Sequence, residues 1–460
     1  MSKLLKLAVV SLGCGKNLVD SEHYMGILAG ETDVRLTERP EEADVALVNT
    51  CGFIEQAKKE SVETILSLAE MKKSGQLKKL IVSGCFAQRY REELLKEIAE
   101  IDAVIGTGDV ASVSRIFREV LDDRRVGSFE QKGFLPEADT ARILTTPSHL
   151  AYLKIAEGCD RKCTYCIIPD LRGELKSRKI EDIVAEANRL AKNGVKELNI
   201  LAQETTEYGR DLYGKPSLAT LLRQLVKIPD ITWIRIYYLY PGSFDRELLE
   251  LYRDEKKICK YFDFPIQHIS SRILQKMGRQ TTGPAIREKL AEIRREIPAA
   301  VFRTSVITGF PGETEQEFLK LKTFLKEFQF DYAGIFRYSR EEGTPAYDME
   351  DQIPEDVKER RETELANLQR EIAAQRNKKR LGRPVAVLID GVSAEDPELL
   401  EGRTMSQAWD IDGKVFVSGD AKPGEIVTVI PEQNFDYDFT GKIVEKKKTG
   451  RTKRNIIKRR

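Results

Sequence analysis

Residues 157–173 read EGCDRKCTYCIIPDLRG and hold three cysteines within eight positions. Cys163 lies four residues after Cys159, and Cys166 lies three residues after Cys163. The stretch follows an apolar run, Tyr152–Ala156, that has the composition of a buried strand. Loops at the carboxyl ends of parallel barrel strands form the functional face of a β/α barrel. Three thiolates this close in such a loop can bind one metal centre together.

The type of centre follows from the number and softness of these ligands. Structural zinc takes four ligands, and no fourth Cys or His stands here at zinc-finger spacing, since the nearest histidine, His149, lies ten residues before Cys159. Soft thiolates also suit iron–sulfur clusters, and three of them on a four-iron cluster leave one iron open for a substrate or cofactor. The alternatives are a zinc site closed by a distant ligand and a set of inert buried thiols.

Length and composition set wider bounds. The 460 residues predict about three domains, and 41% hydrophobic with 32% charged residues is typical of a globular chain. The net charge of +1 excludes a protein that binds nucleic acid through overall basicity. Seven cysteines are too few, and odd in number, for a disulfide scaffold. Neither a membrane-spanning run nor a signal peptide is evident, so we expect a cytoplasmic protein without membrane contact.

Apolar runs alternate with helical patterns over most of the chain, which predicts parallel α/β architecture. Six such β–α repeats after residue 149 predict a partial (β/α) barrel. Short strands with many turns after residue 383 predict a small β-barrel. The predicted segments are an α/β sheet domain (1–121), a linker with a short hairpin (122–148), the partial barrel (149–376), the β-barrel (377–447) and a basic tail (448–460).

A second set of cysteines shares one local setting. Cys14, Cys51 and Cys85 each follow an apolar strand pattern and one small turn residue. Because carboxyl ends of parallel strands lie along one sheet edge, where such sheets bind ligands, these thiols can converge on one centre. The alternative is that all three are small buried core residues. Cys259 is expected to be a packing residue, and His23, His149 and His268 are isolated.

The spacing in residues 157–173 resembles that of the radical S-adenosylmethionine (radical SAM) enzymes. The resemblance implies a 4Fe–4S cluster on Cys159, Cys163 and Cys166, whose open iron binds S-adenosylmethionine. Tyr165 resembles the aromatic residue near the adenine in that class, with ordinary packing as its alternative. Gly309 opens a string, GFPGET, that resembles the loop near S-adenosylmethionine, with a plain Gly/Pro turn as its alternative. Gln203 and Gln267, at the ends of predicted strands, are further cofactor-binding candidates, and either has a structural role as its alternative. No catalytic side chain is assigned.

The two cysteine sets, the α/β front domain and the terminal β-module together resemble the methylthiotransferases. That resemblance implies a second, auxiliary 4Fe–4S cluster on Cys14, Cys51 and Cys85, and a C-terminal TRAM domain that recognises substrate. It also implies replacement of an unactivated C–H bond by C–SCH₃, with the methyl group from a second S-adenosylmethionine.

Several strings are similar to the branch of this family that modifies an aspartate β-carbon in the twelfth small-subunit ribosomal protein. They are SLGCGKNLVDSE, NTCGFIEQAKKES, AQETTEYGRDLYG and FRYSREEGTPA. Glu204 departs from that branch, because Asp is expected there. Two alternatives are a methylthiotransferase acting on tRNA adenosine and a non-catalytic, metal-dependent protein that binds nucleic acid.

Charge is distributed unevenly at the C-terminus. Residues 383–445 hold five basic and thirteen acidic residues, a net charge of −8, whereas residues 446–460 hold nine basic and no acidic residues. An acidic module suits a basic ribosomal protein better than a phosphate backbone, although such charge can also simply solvate a surface. The tail is predicted either to contact ribosomal RNA or to be a solubilising end. An electron-donor protein is the remaining expected partner.

Overall fold

The fold is that of a computed structural model, which describes residues 4–31 and 33–444. The chain forms two compact units, Met1–Ala373 and Ala374–Arg460. The predicted basic tail lies outside the described residues. Within those residues, no helix is both long and apolar enough to cross a membrane.

The first unit begins with a six-stranded parallel sheet in the order β2-β1-β3-β4-β5-β6. Its two central strands, VALVNT and KLIVSG, are almost entirely buried, as expected for parallel strands covered by helices on both faces. The strands are β1 (Leu5–Ser11), β2 (Val34–Thr37), β3 (Val45–Thr50), β4 (Lys79–Gly84), β5 (Ala103–Ile105) and β6 (Val126–Ser128), and the helices are α1 (Gly15–Ala29), α2 (Glu55–Lys73), α3 (Cys85–Glu97) and α4 (Val113–Leu121).

Two features of this sheet differ from the sequence prediction. Strand β2 was not predicted, because its four residues are an edge strand without a buried apolar run. The short hairpin predicted in 122–148 is wrong, since β6 pairs in parallel with β5 instead. Residues of the predicted linker therefore complete the front sheet.

The remainder of this unit is the predicted partial barrel. Two three-stranded parallel sheets, β7-β10-β11 and β12-β13-β14, are joined through the bridge between Ile234 and Ile258. The strands are β7 (Leu150–Lys154), β8 (Ala156–Glu157), β9 (Lys176–Ser177), β10 (Glu197–Leu201), β11 (Trp233–Ile236), β12 (Tyr261–Gln267), β13 (Val301–Thr308) and β14 (Tyr332–Arg337). The helices are α5 (Ile168–Arg172), α6 (Ile180–Lys192), α7 (Arg210–Tyr213), α8 (Leu218–Leu225), α9 (Arg246–Asp254), α10 (Ser271–Lys276), α11 (Gly283–Glu296), α12 (Glu315–Phe328) and α13 (Glu355–Lys378), and short 3₁₀ turns occupy Pro40–Glu42, Val110–Ser112, Thr205–Glu207, Pro241–Ser243 and Pro345–Asp348.

A buried arginine ties the front sheet domain to the partial barrel. Arg142 donates to Glu22 of α1 (2.9 Å) and to Glu186 of α6 (2.8 Å), and a third bond reaches the carbonyl of Tyr152. All three charged side chains are at most 5% exposed. Helix α1 approaches this segment so closely that a Cβ at Gly26 would lie 2.3 Å from the Arg142 backbone nitrogen.

The second unit contains a closed five-stranded barrel in the order β15-β16-β17-β19-β18. Its core consists of Val387, Ile389, Val415, Val417, Val429 and Phe439, from alternate positions of the strands. The strands are β15 (Val385–Val392), β16 (Leu400–Arg403), β17 (Val415–Ser418), β18 (Ile426–Asn434) and β19 (Phe439–Ile443). The parallel sheet, the partial barrel and this closed barrel confirm the predicted fold class.

We predict that Arg142→Ala lowers the free energy of unfolding of the first unit by about 3–5 kcal/mol, because it leaves the buried carboxylate of Glu22 without a cation and removes one of the two arginines that pair with Glu186. Urea unfolding followed by tryptophan fluorescence measures the change. Arg115→Ala is the matched control, since its ion pair with Glu119 is exposed and contributes less than about 1 kcal/mol. Equal effects of the two substitutions would contradict this account of the interface.

Candidate functional site

Three cysteines follow three neighbouring strands of the front sheet. Cys14 comes after β1, Cys51 directly after β3, and Cys85 directly after β4, and these strands are adjacent in the order β1-β3-β4. The turn before Cys14 runs so close to the next strand that a Cβ at Gly13 would lie 2.8 Å from the Cβ of Cys51. Gly13 also has φ 89°, which a side chain would strain. We call Cys14, Cys51 and Cys85 the front triad.

The N-terminus of α1 points its amides at the front triad. The backbone N–H groups of Lys16 and Asn17 donate to the Cys14 thiol. Burial opposes ionisation of Cys14, but the charges of Lys16 and Arg172 and these two amides outweigh it and lower the pKa of the thiol. Burial, together with the neighbouring thiols of Cys85 and Cys14, raises the pKa of Cys51 to about 12. The three thiols therefore interact with one another, as a shared centre requires.

Arg172 connects the front triad to the partial barrel. Its Nε donates to Sγ of Cys85 at 3.3 Å, and its Nη2 donates to Oδ1 of Asn17 at 2.5 Å. On the other side, its Nη1 donates to Glu157 at 2.9 Å. Arg172 is the last residue of α5, so the loop that carries the second set of cysteines also supplies a hydrogen-bond donor to the first.

The second set, Cys159, Cys163 and Cys166, lies in the loop between β8 and α5. We call it the barrel triad. The N–H of Cys159 donates to the carbonyl of Gly173, which directly follows α5. Burial is the main cause that raises the pKa of Cys159 to about 11 and that of Cys166 to about 12, and neighbouring thiols of the triad contribute to both.

Backbone contacts hold the loop of the barrel triad from two further sides. Thr164 donates its N–H to the carbonyl of Met277 and its hydroxyl to that of Lys276, and it accepts from the N–H of Ala346. Gly278 follows at φ 69°, and a Cβ there would lie 2.4 Å from the carbonyl oxygen of Lys162. The close approach therefore requires glycine.

A cavity of about 510 Å³ opens beside Cys159 and Cys163, a volume typical of a small-molecule site. Two guanidinium groups flank the ring of Tyr240 in its wall, Arg161 at 3.5 Å and Arg279 at 4.5 Å from the ring centre. Arg161 donates to Glu204 at 2.8 Å. Burial raises the pKa of Glu204 to about 7 even though the charge of Arg161 opposes that shift.

The four other residues predicted to bind cofactor occupy different positions. Tyr165 packs edge to face against Phe310, which follows Gly309, so the loop of the barrel triad and the GFPGET loop are in contact. Gly309 itself has φ 69° and packs against Lys358 of α13. Gln203 donates to Glu157, and its Oε1 is buried without a hydrogen-bond partner among the described residues. Gln267 ends β12 at φ 68°, at a shift in the β12–β13 register.

Three further residues that the sequence analysis named, Cys259, His268 and His23, are buried. Cys259 is fully buried in the barrel. His268 is buried between Glu313, 3.0 Å from its Nε2, and the Ser270 N–H, which donates to its Nδ1. His23 lies against the carbonyl of Ala141, and burial lowers its pKa to about 3.

Both triads fit an iron–sulfur cluster by the chemistry of their donors. Each consists of three soft thiols in electrostatic contact, and cationic or amide donors lie within hydrogen-bond distance of both triads. No donor among residues 4–31 and 33–444 bonds to Oε1 of Gln203, as expected of a group that meets a ligand. Across residues 4–31 and 33–444, no three His, Cys, Asp or Glu side chains form a site for one metal ion.

Sequence reasoning did not single out Lys16, Arg161, Arg172 or Arg279. Lys16 and Arg172 lie within the strings quoted for their cysteines, so their position beside a triad was the available signal. Arg172 contacts Cys85 and Asn17, which precede it by 87 and 155 positions in the sequence. Local sequence patterns carry no information on contacts between residues so far apart.

Comparison with known proteins gives the class. Residues 153–325 match the Radical SAM superfamily, residues 381–444 the TRAM domain, and residues 6–106 a family described as Uncharacterized protein family UPF0004. Among solved structures, the radical S-adenosylmethionine methyltransferase TsrM from Kitasatospora setae, with cobalamin and a [4Fe-4S] cluster bound, has a TM-score of 0.53. At 16% identity over 75% of this chain and 74% of that one, this likeness shows the fold alone.

Full-length relatives are much more similar. A protein from Clostridioides difficile (strain 630), named ribosomal protein uS12 methylthiotransferase RimO, is 48% identical and covers 96% of this chain and 99% of its own length. A protein of the same name from Geobacter sulfurreducens is 46% identical over 95% of this chain and 98% of that protein.

The matched domains and the full-length relatives place this chain among the radical SAM methylthiotransferases. At this identity and coverage, the chain belongs to the RimO family.

We predict that Glu204→Gln has a higher melting temperature than the wild type, and that this difference is larger at about pH 8 than at about pH 5.5. An unfolded glutamate releases its proton near pH 4.3, whereas Glu204 holds it to about pH 7, so wild-type stability falls as the pH rises through this interval. Scanning fluorimetry measures the difference, with Glu97→Gln at an exposed site on α3 as the control. If Glu204→Gln raises the melting temperature equally at both pH values, burial does not raise the pKa of Glu204.

Proposed function

We propose that this chain attaches a methylthio group to an aspartate side chain of ribosomal protein uS12. The observation that carries the proposal is the pair of thiol triads, joined within one compact unit by Arg172. Full-length relatives that carry the name ribosomal protein uS12 methylthiotransferase support the choice of substrate.

Two 4Fe–4S clusters and S-adenosylmethionine are the proposed cofactors. Bound at the two triads, they supply the radical that removes a hydrogen atom and the sulfur that replaces it. The chain itself holds the two centres at a fixed distance, because α5 carries Arg172 to Cys85 while its preceding loop carries the barrel triad. Such fixed placement is how a protein accelerates a reaction between separately bound groups.

Tyr165, Gly309, Gln203 and Gln267 are proposed to bind S-adenosylmethionine. The buried Oε1 of Gln203, unpartnered among the described residues, supports a ligand contact. The contact of Tyr165 with Phe310 supports a shared pocket for Tyr165 and the GFPGET loop. Gly309 directly follows β13 and Gln267 ends β12, so both lie at the carboxyl ends of barrel strands, the functional face of such a barrel.

A basic protein partner is proposed for the C-terminal barrel. Exposed carboxylates lie on its loops at Glu395, Asp396 and Glu398, and residues 383–445 carry a net charge of −8. Ribosomal proteins are basic, and opposite charge accelerates their encounter with such a surface. An electron-donor protein and a ribosomal RNA contact through residues 448–460 complete the proposed partners, and the cytoplasm is the proposed compartment.

The proposal predicts that uS12 isolated from cells lacking this protein has a lower mass than uS12 from wild-type cells. The difference corresponds to one hydrogen atom in place of one methylthio group. Intact-mass spectrometry of uS12 from deletion and complemented strains measures it, and fragmentation locates the change to one aspartate. An unchanged uS12 mass, accompanied by hypomodified adenosine in tRNA digests, would instead identify a tRNA methylthiotransferase.

Alanine substitutions in the two triads are predicted to distinguish the two clusters by their effects on iron content and on cleavage of S-adenosylmethionine. The wild type purified without oxygen is expected to hold about eight irons per chain, and both Cys163→Ala and Cys14→Ala about four. Only Cys163→Ala should abolish cleavage of S-adenosylmethionine, because Cys163 belongs to the barrel triad. Iron and sulfide analysis with a 5′-deoxyadenosine assay measures both quantities, and Cys259→Ala is the control. Zinc in place of iron would support a non-catalytic metal protein.

A further inference from the structure

A buried lysine beside the front triad reaches a residue of the partial barrel. Lys16 is the second residue of α1, two positions after Cys14, and is only 7% exposed. Its Nζ lies 3.8 Å from the ring centre of Tyr238, just beyond the carboxyl end of β11. It is also in electrostatic contact with Cys14, Glu157 and Arg172. Lys16 thus extends from the front domain to the functional face of the partial barrel.

The carboxylates near Lys16 are already paired with other cations. Lys154 and Arg172 each form ion pairs with both Asp20 and Glu157, so two buried cations share two buried anions. Lys16 forms no ion pair or side-chain hydrogen bond with any residue that the structure describes. A buried ammonium that no carboxylate pairs with costs several kcal/mol, and the contacts with Tyr238 and with the Cys14 thiol offset only part of that cost.

Tyr238 is itself held in an unfavourable conformation. Its φ is 57°, in the left-handed region that costs a non-glycine residue about 1–2 kcal/mol. The carboxylate of Asp263 accepts a hydrogen bond from its backbone N–H at 3.0 Å, which fixes this turn. Strain of this kind persists where surrounding contacts impose it, and it concentrates at ligand sites.

We infer that Lys16 is a specificity-determining residue that binds the carboxylate of the substrate aspartate. The inference rests on the proposed function. A carboxylate that leaves water at a buried position needs a cation, and Lys16 is a buried cation that no carboxylate of the described residues pairs with. A neutral adenine base would leave the lysine unpaired, so the same residue opposes a nucleobase substrate.

The test compares the wild type with Lys16→Met, Lys16→Arg and the control Lys192→Met, an exposed lysine on α6. Each holoenzyme is given uS12 and a uS12 variant with asparagine at the target aspartate. Two quantities are measured: the dissociation constant for each protein without S-adenosylmethionine, and KM and kcat for methylthiolation. Iron content and the cluster spectra establish that each variant is folded and loaded.

The wild type should bind the aspartate form about 10- to 100-fold more tightly than the asparagine form, the range for a hydrogen bond to a charged group. In Lys16→Met this preference should shrink to less than about threefold, with the change in KM rather than kcat. Lys16→Arg should retain a preference of at least about threefold, and Lys192→Met the full wild-type preference.

Three results would count against the inference. If Lys16→Met keeps the wild-type preference, Lys16 does not contact the carboxylate. If Lys16→Met changes only the cluster spectra or reduction potential, Lys16 serves the front triad instead. If the wild type modifies neither form of uS12, the proposed function fails, and the inference fails with it. The first two results leave the proposed function standing.

Discussion

The hydrogen bonds of the Arg172 guanidinium are the interaction on which the site depends. One buried side chain contacts Cys85 and Asn17 of the front domain and Glu157 of the partial barrel. Removing one partner of such a buried charged network costs about 3–5 kcal/mol. The same hydrogen bonds therefore align the front domain with the partial barrel and hold the front triad in place. The front triad therefore cannot shift relative to the barrel triad without breaking these bonds.

The positions of other residues follow from this constraint. Helix α1 must begin directly at the sheet edge, because Asn17 both accepts from Arg172 and donates to the carbonyls of Leu12 and Thr50. This start directs the first amides of the helix at Cys14 and turns Lys16 toward Tyr238. The short helix α5 must end beside Cys159, and Gly173 at φ 81° ends it there.

Local sequence patterns predicted most of the fold and both triads. Apolar runs such as VALVNT identify buried parallel strands, and a cysteine after each run lies at the shared sheet edge by geometry alone. The same patterns missed β2, whose pairing depends on its neighbour β1 rather than on its own residues. They also missed Arg172 and Lys16, because buried charges have no periodic signature and acquire partners only through contacts distant in sequence. Glu204 was noted only as a departure from a family string, whereas its burial beside Arg161 gives it a shifted pKa.

The central claim is that both triads hold clusters at once in a single compact unit. Anomalous scattering at the iron edge from crystals of the anaerobically reconstituted chain tests it most directly. The account predicts two separate iron peaks, one bonded to Cys14, Cys51 and Cys85 and one to Cys159, Cys163 and Cys166, with the Arg172 guanidinium beside the first. A single iron peak, or a second peak away from the front-triad thiols, would contradict it.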